Sequence, residues 1–362
     1  MKKSLFILFL FFVCFACLHR SSDKRGLEAE SSTYNNPLLP SGTDPYAIFY
    51  NGKYYYMQGT GTDKLAIWET TDITDIKHAK CKDIWTSDNK AYSFNIWGAE
   101  LHRINNKWYI YFAADDGKLD NHQLYVLENE SPDPMKGTFK MKGAIKTNNE
   151  WNWGIQATTI VHKGVQYLLW SGWPKRRITT ETQCLYIASM SNPWTLKSSR
   201  ILISKPEYEW ERQWVNPDGT RTAYPIYVNE SPQFFHSRDN RKILIYYSAS
   251  GCWTPYNCIG MLTANDNSDL LNPASWTKNP SPVFQQSQEN GVYGPGSPCF
   301  VTSPDGNEYY ILYHARNIPN SDGGPETRSP RIQKIGWDTN GMPVLGKPFS
   351  EKTSLSKPSG TF

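Results

Sequence analysis

Five short polar segments carry the residues of this chain best suited to acid–base chemistry. They are Thr43-Asp44-Pro45, Trp97-Gly98-Ala99-Glu100, Trp153-Gly154-Ile155-Gln156, Asn229-Glu230-Ser231-Pro232 and Gly294-Pro295-Gly296-Ser297. Brought together, they supply three carboxyls, two indoles and one glutamine. Splitting a glycosidic bond needs two carboxyls flanking it, one to protonate the leaving oxygen and one to take a proton from water. Taken singly, the same residues have plainer readings. Asp before Pro is an ordinary turn starter, Glu230 suits a turn cap or an Arg partner, and a lone Trp97 or Trp153 suits a core. The choice depends on whether segments so far apart in the chain meet in space.

A repeated element can bring them together. Five stretches share an apolar pair, a Gly/Asn-type turn and an alternating aromatic strand: Ala47–Gly59, Leu101–Ala114, Ile160–Gly172, Phe234–Ser250 and Phe300–Ala315. Asn51-Gly52 and Asp305-Gly306 are hairpin-turn dipeptides. Further short strands follow most copies, as at Lys64, Gln123, Cys184 and Cys258. Helical periodicity is nearly absent. Each unit has the strand content of one propeller blade, so an all-β, five-bladed propeller over residues 35–349 is expected, with the polar segments at the mouth of a central depression. A pair of β-sandwiches would not need the same hairpin five times. Length alone suggests two domains; the repeat replaces that with one ring.

Composition narrows the partners. The 38 basic and 34 acidic residues leave a net charge of +4, and Lys2 and Lys3 belong to the leader. So small a charge argues against nucleic acid, while 14 Trp, 22 Tyr and 15 Phe suit strands and surfaces that stack sugar rings. The basic start and the apolar run Ser4–Ala16 read as a signal peptide. Cys14-Phe15-Ala16-Cys17 is similar to the lipobox of bacterial lipoproteins, with Cys14 where Leu is usual. Residues 1–17 are thus expected to direct export and lipid anchoring on Cys17 at a bacterial envelope, periplasmic or cell-surface. Residues 18–34 would be a flexible tether and 350–362 a short tail. Of the other cysteines, Cys252 and Cys258 are close enough for a loop disulfide, and none has zinc-site spacing. A monomer is favoured.

The motifs together resemble glycoside hydrolase family 43 over about residues 36–348. The resemblance rests on Asn36-Pro37-Leu38-Leu39 with Gly42-Thr43-Asp44-Pro45, on Ile96–His102, on Val228–Gln233, on Tyr313-His314-Ala315 and on Arg331-Ile332-Gln333-Lys334. It implies a five-bladed propeller that removes arabinofuranosyl or xylosyl units with inversion, Asp44 being the base and Glu230 the acid. Trp97, Trp153, His314 and Arg331 would then contact substrate. Gln156 stands where the family has a third carboxylate, so Glu100 becomes the alternative source of that charge. No cofactor is required, and one His offers no ligand set, so a calcium ion near His314 is allowed rather than demanded. The expected activity is that of an exo-acting α-L-arabinofuranosidase on plant-type polysaccharide. A β-xylosidase, endo-arabinanase or galactanase of the same fold, or a glycan-binding protein with catalysis impaired by Gln156, are the alternatives. Two aromatic loops, Lys205–Tyr227 (Tyr208, Trp210, Trp214, Tyr224) and Gly251–Tyr256, suit either a pocket wall or the propeller's own edge. Arg316 and Arg328 read as solvent-facing.

Overall fold

In the computed structural model, residues 32–361 are described apart from 60, 151, 177–180, 221–224 and 321–326. The leader, Cys17, the tether up to residue 31 and Tyr224 therefore lie outside the described residues. The first two blades are four-stranded antiparallel meanders: Thr43–Tyr50, Lys53–Gly59, Lys64–Thr70 and Lys80–Thr86, then Phe94–Ile104, Lys107–Asp115, Gln123–Asn129 and Lys140–Ala144. The third holds Gly154–His162, Val165–Gly172 and Glu181–Asn192, with Ile201–Ser204 outside it. The fourth runs through Ile226–His236, Lys242–Ala249, Cys258–Asn265 and Thr277–Lys278. Glu181–Gln183 also pairs in parallel with Ile226–Val228, joining the third and fourth sheets. Among the described residues the only helices are five short 3-10 turns. The expected all-β propeller of five blades is what the chain forms.

Local sequence explains the hairpins. The first hairpin of blades one, two and three turns on Asn51-Gly52, Asn105-Asn106 and Lys163-Gly164, both residues of each pair lying at positive φ. That is the geometry of a two-residue turn matched to strand twist. The aromatic alternation is inter-blade packing: Tyr54, Tyr56, Trp108, Tyr111, Trp170, Tyr246 and Tyr313 are all fully buried. Apolar clusters join the third blade to the second and fourth, and the fourth to the fifth. A fourth cluster draws on blades one, two and five.

Ring closure uses both ends of the chain. Blade five has three strands of its own, Tyr293–Thr302, Tyr309–Arg316 and Ser329–Lys334. The segment before blade one lies along the third: Leu38 N–H donates to Pro330 O at 2.8 Å and Gly42 N–H to Arg328 O at 2.9 Å. The Asn36 side chain acts as a strand residue, donating to Ile332 O at 2.8 Å and accepting from Ile332 N–H at 2.9 Å. Thr33–Tyr34 then pairs with Leu355–Ser356, and Ser359 N–H donates to Glu308. One expected boundary moves accordingly. Thr33–Tyr34 is a strand rather than the end of a tether, and the short C-terminal tail packs on the body through Leu355–Ser356 and Ser359.

The proposed disulfide is absent, since Cys252 and Cys258 are both free thiols. Cys258 opens a strand opposite Ala249, and its thiol donates weakly to Ala249 O and Trp210 O. It is occupied in the blade-four core, while Cys252 stays in the preceding turn.

Because Asn36 is buried, Asn36→Ala would leave the Ile332 N–H without a partner at the closure seam and its carbonyl with the Tyr34 hydroxyl alone. Loss of about 2 kcal/mol of stability is expected, read from chemical denaturation followed by tryptophan fluorescence. An unchanged midpoint would show that the seam does not depend on this side chain.

Candidate active site

The innermost strand of every blade breaks register near its start, at Thr43/Tyr46, Trp97/Glu100, Ile155/Thr158, Glu230/Gln233 and Gly296/Cys299. One residue in each break is left-handed: Asp44 (φ 49°), Gly98 (56°), Gln156 (51°), Ser231 (50°) and Ser297 (47°). Four are not glycine, and such conformations cost about 1–3 kcal/mol each and cluster at functional sites. A bulge adds one residue to the strand and re-aims side chains. Here all five line one axial cavity.

The four side chains touch in sequence around it. Ser297 Oγ donates to Asp44 Oδ1 at 2.6 Å, and Gln156 Nε2 donates to the same oxygen at 3.1 Å. Ser231 Oγ donates to Gln156 Oε1 at 2.6 Å and lies 3.0 Å from Ser297 Oγ. Gly98 completes the ring without a side chain. Two residues further along the strands, Tyr46, Glu100 and Gln233 form a lower tier, and the cavity between the tiers has a volume of about 20 Å³, room for one water.

The carboxyls occupy contrasting settings. Asp44 receives the two donors, and its backbone N–H donates to His314 Nδ1 at 3.2 Å. Glu230, one residue before Ser231, is buried. Burial first, and the nearby charge of Asp44 second, push its carboxyl up to about 8, against the opposing pull of Arg328. Glu100 is buried too, and burial pushes its carboxyl up, while donors from His102 (2.9 Å) and Gln233 moderate the rise. His314 is forced well below its usual range by burial and by the charges of Arg328 and Arg316. It is therefore neutral, and with Nδ1 accepting, its proton sits on Nε2. Few side-chain ligands for calcium surround His314. Asp44 Oδ1 is 3.9 Å away, no group of three His, Cys, Asp or Glu suited to a metal occurs among the described residues, and calcium takes about six to eight oxygens.

Asp44, Glu100 and Gln156 thus share the cavity, with Glu230 and His314 adjoining. Trp97 stands nearby, 36% exposed, its indole stacked on His122 at 4.3 Å. Two expected substrate contacts do not reach the depression. Trp153 is 4% exposed, stacked flat on Trp173 at 4.2 Å with its N–H on Leu119 O. The two Trp-Gly pairs look equivalent but are out of phase. Counted from the left-handed residue, Trp97 is one position before and Trp153 three, so Ile155 is the counterpart of Trp97. Arg331 is fully buried in blade five and donates to Asn317, away from the cavity. Arg316 is buried as well, held by Thr327 and by Cys252 O.

The aromatic loop at Lys205–Tyr227 packs on its own blade. Trp210 stacks on Tyr208 and Tyr247, and buried Glu211 takes bonds from Asn229, Tyr247 and Lys278. Trp253, in the other loop, donates to Trp214 O. Sequence reasoning missed Ser231, Ser297, Gln233 and Arg328. A usable signal was the recurrence of a polar residue before proline, Asp44-Pro45, Ser231-Pro232 and Ser297-Pro298, at the same point of three blades.

Comparison with known proteins agrees with this geometry. The profile of "Glycosyl hydrolases family 43" matches residues 34–343. An "Extracellular exo-alpha-(1->5)-L-arabinofuranosidase" of Streptomyces avermitilis is 34% identical over 328 residues, 89% of this chain and 65% of that protein. This chain therefore spans just under two thirds of that relative's length. A protein of the same name from Streptomyces chartreusis is 35% identical over 299 residues, 81% of this chain and 85% of that one. The crystal structure of an alpha-L-arabinofuranosidase from Lactobacillus brevis superposes with a TM-score of 0.80 at 31% identity, covering 88% of this chain and 98% of that one. A family profile spanning nearly the whole propeller, over a ring that seats a carboxylate among donors beside a second, desolvated one, makes this chain a member of glycosyl hydrolase family 43.

Proposed function

We propose that the chain is an inverting exo-acting α-L-arabinofuranosidase, with Asp44 as general base and Glu230 as general acid. The observation that carries this is the contrast between the two carboxyls. Asp44 is held by donors that suit its ionised form, while Glu230 is kept protonated near neutral pH by burial and by the charge of Asp44. Asp44 takes a proton from water as the water oxygen bonds to the anomeric carbon. Glu230 gives its proton to the glycosidic oxygen as that bond breaks, and the two carboxyls exchange their protonation states. The names of the relatives support the sugar and the exo mode. The word "Extracellular" in two of them, with the apolar leader, supports export; anchoring through Cys17 belongs to the same proposal. Trp97 is the residue best placed to stack on a sugar ring.

Gln156 does not favour a binding protein. In place of a charge it supplies a donor to the base, and Asp44 itself supplies the repulsion that raises Glu230.

Asp44→Asn and Glu230→Gln should each lower kcat by roughly 10²–10⁴-fold. Arabino-oligosaccharide and 4-nitrophenyl α-L-arabinofuranoside are the test substrates, with the aryl β-xyloside alongside. Glu230→Gln should lose less on the nitrophenyl substrate, whose leaving group needs little protonation. Wild-type rates in either variant would remove the assignment, and faster xyloside cleavage would move it to a xylosidase.

The wild-type rate should fall as pH rises through about 8, where Glu230 ionises. Stability carries the same signature. Between pH 4.5 and about 8 the folded state keeps a proton that the unfolded chain has released, so stability falls as pH rises across that window. Glu230→Gln should match wild type below pH 4.5 and become the more stable protein by a margin that grows up to about pH 8. Denaturation at a series of pH values reads this directly; parallel curves would refute a protonated Glu230.

A further inference from the structure

We propose that Ser231 and Ser297 are positioning residues for the base, Ser297 donating to Asp44 directly and Ser231 acting through Gln156, in a ring of side chains around the axis; this rests on Asp44 being the base. The donor directions follow from chemistry. Gln156 Oε1 carries no hydrogen, so at 2.6 Å Ser231 must donate to it. An ionised carboxylate only accepts, so at 2.6 Å Ser297 must donate to Asp44 Oδ1. Each hydroxyl then has its single proton committed, and the 3.0 Å approach of the two oxygens is packing.

Asp44, which only accepts, draws Nε2 of Gln156 towards itself, and Ser231 locks that orientation by donating to Oε1. With Oε1 taken by Ser231, Nε2 is presented to Asp44; reversed, the amide would set a carbonyl against a carboxylate. Gly98 makes the crossing feasible, because a Cβ there would lie 2.7 Å from Gln156 Cγ. Both donors meet Oδ1, and among the described residues none donates to Oδ2, so the ring holds the carboxylate by one oxygen and leaves the other for water. Ser231 directly follows Glu230 on its strand, so the same ring ties the base to the strand that carries the acid.

Steady-state kinetics on 4-nitrophenyl α-L-arabinofuranoside test this in Ser297→Gly, Ser231→Gly and Gln156→Ala, and in Ser231→Gly combined with Gln156→Ala. Glycine removes the hydroxyl at φ 47° and 50° without backbone strain; Ser297→Ala and Ser231→Ala serve as a second pair. Ser297→Gly is expected to lower kcat about tenfold with KM within about twofold, the loss of a hydrogen bond to a charged group felt in the transition state. Ser231→Gly should lower kcat less, and should add nothing in the Gln156→Ala background, because it acts only through that amide. Wild-type kcat in both serine variants would overturn the proposal. So would a raised KM at unchanged kcat, which marks direct sugar contact, or an equal Ser231 effect with and without Gln156. Asp44→Asn, run alongside, separates the two readings: activity surviving there removes the base itself, whereas its loss with unaffected serine variants removes only the ring.

Discussion

Around the propeller axis the blades come so close that a Cβ on Gly98 would sit 2.7 Å from Gln156 Cγ, and one on Gly296 2.0 Å from Asn257 Oδ1. Five inner strands cannot all present ordinary apolar side chains to a channel this narrow. Each instead breaks register, turns one residue left-handed and contributes a small or flat polar group, or none. The strain is offset by the hydrogen bonds of the ring and by the aromatic clusters that clamp neighbouring blades. Polar groups buried in such a place must satisfy one another. Hence the same crowding that shapes the axis also assembles acids and donors there.

How far the sequence foretells this depends on what repeats. Hairpin turns repeat with a known backbone requirement, so Asn51-Gly52 and its counterparts disclose five blades. Asp44 and Glu230 stand in segments whose chemistry is legible because few other residues could perform it. Ser231 and Ser297 have no such mark; a serine in a turn is unremarked until the ring places it against a carboxylate. Trp153 shows the opposite failure. Its Trp-Gly pair copies Trp97-Gly98 in letters but not in phase, since the left-handed position falls on Gln156 rather than on Gly154. A shift of two positions sends one indole to the mouth and the other into the stack with Trp173.

Arg328 was hidden for a different reason. Its position depends on the third strand of blade five, which is braced by the N-terminal segment through Leu38, Gly42 and Asn36. Only ring closure carries that charge to Glu230, His314 and Cys252. Arg331, three residues on, opens the quoted motif but stays with Asn317 inside the blade. Charges brought in by long-range closure are the least visible to local pattern, because nothing in their own neighbourhood announces the partner.

On the proposed assignment of base and acid, a neutral Gln156 at this position bears on how Asp44 and Glu230 depend on one another. A third negative charge would raise the acid independently of the base. Without it, Glu230 is lifted by burial and by Asp44, and the rise due to Asp44 lasts only while Asp44 is ionised. With Asp44 charged, burial and that charge together keep Glu230 neutral, while Ser297 and Gln156 donate to Asp44 Oδ1. On the proposed mechanism turnover reverses the charges and leaves Glu230 ionised in a desolvated site. Burial of Glu230 would then drive a proton back onto it, so on that mechanism the spent state is the unfavourable one and the pair resets without a third carboxylate.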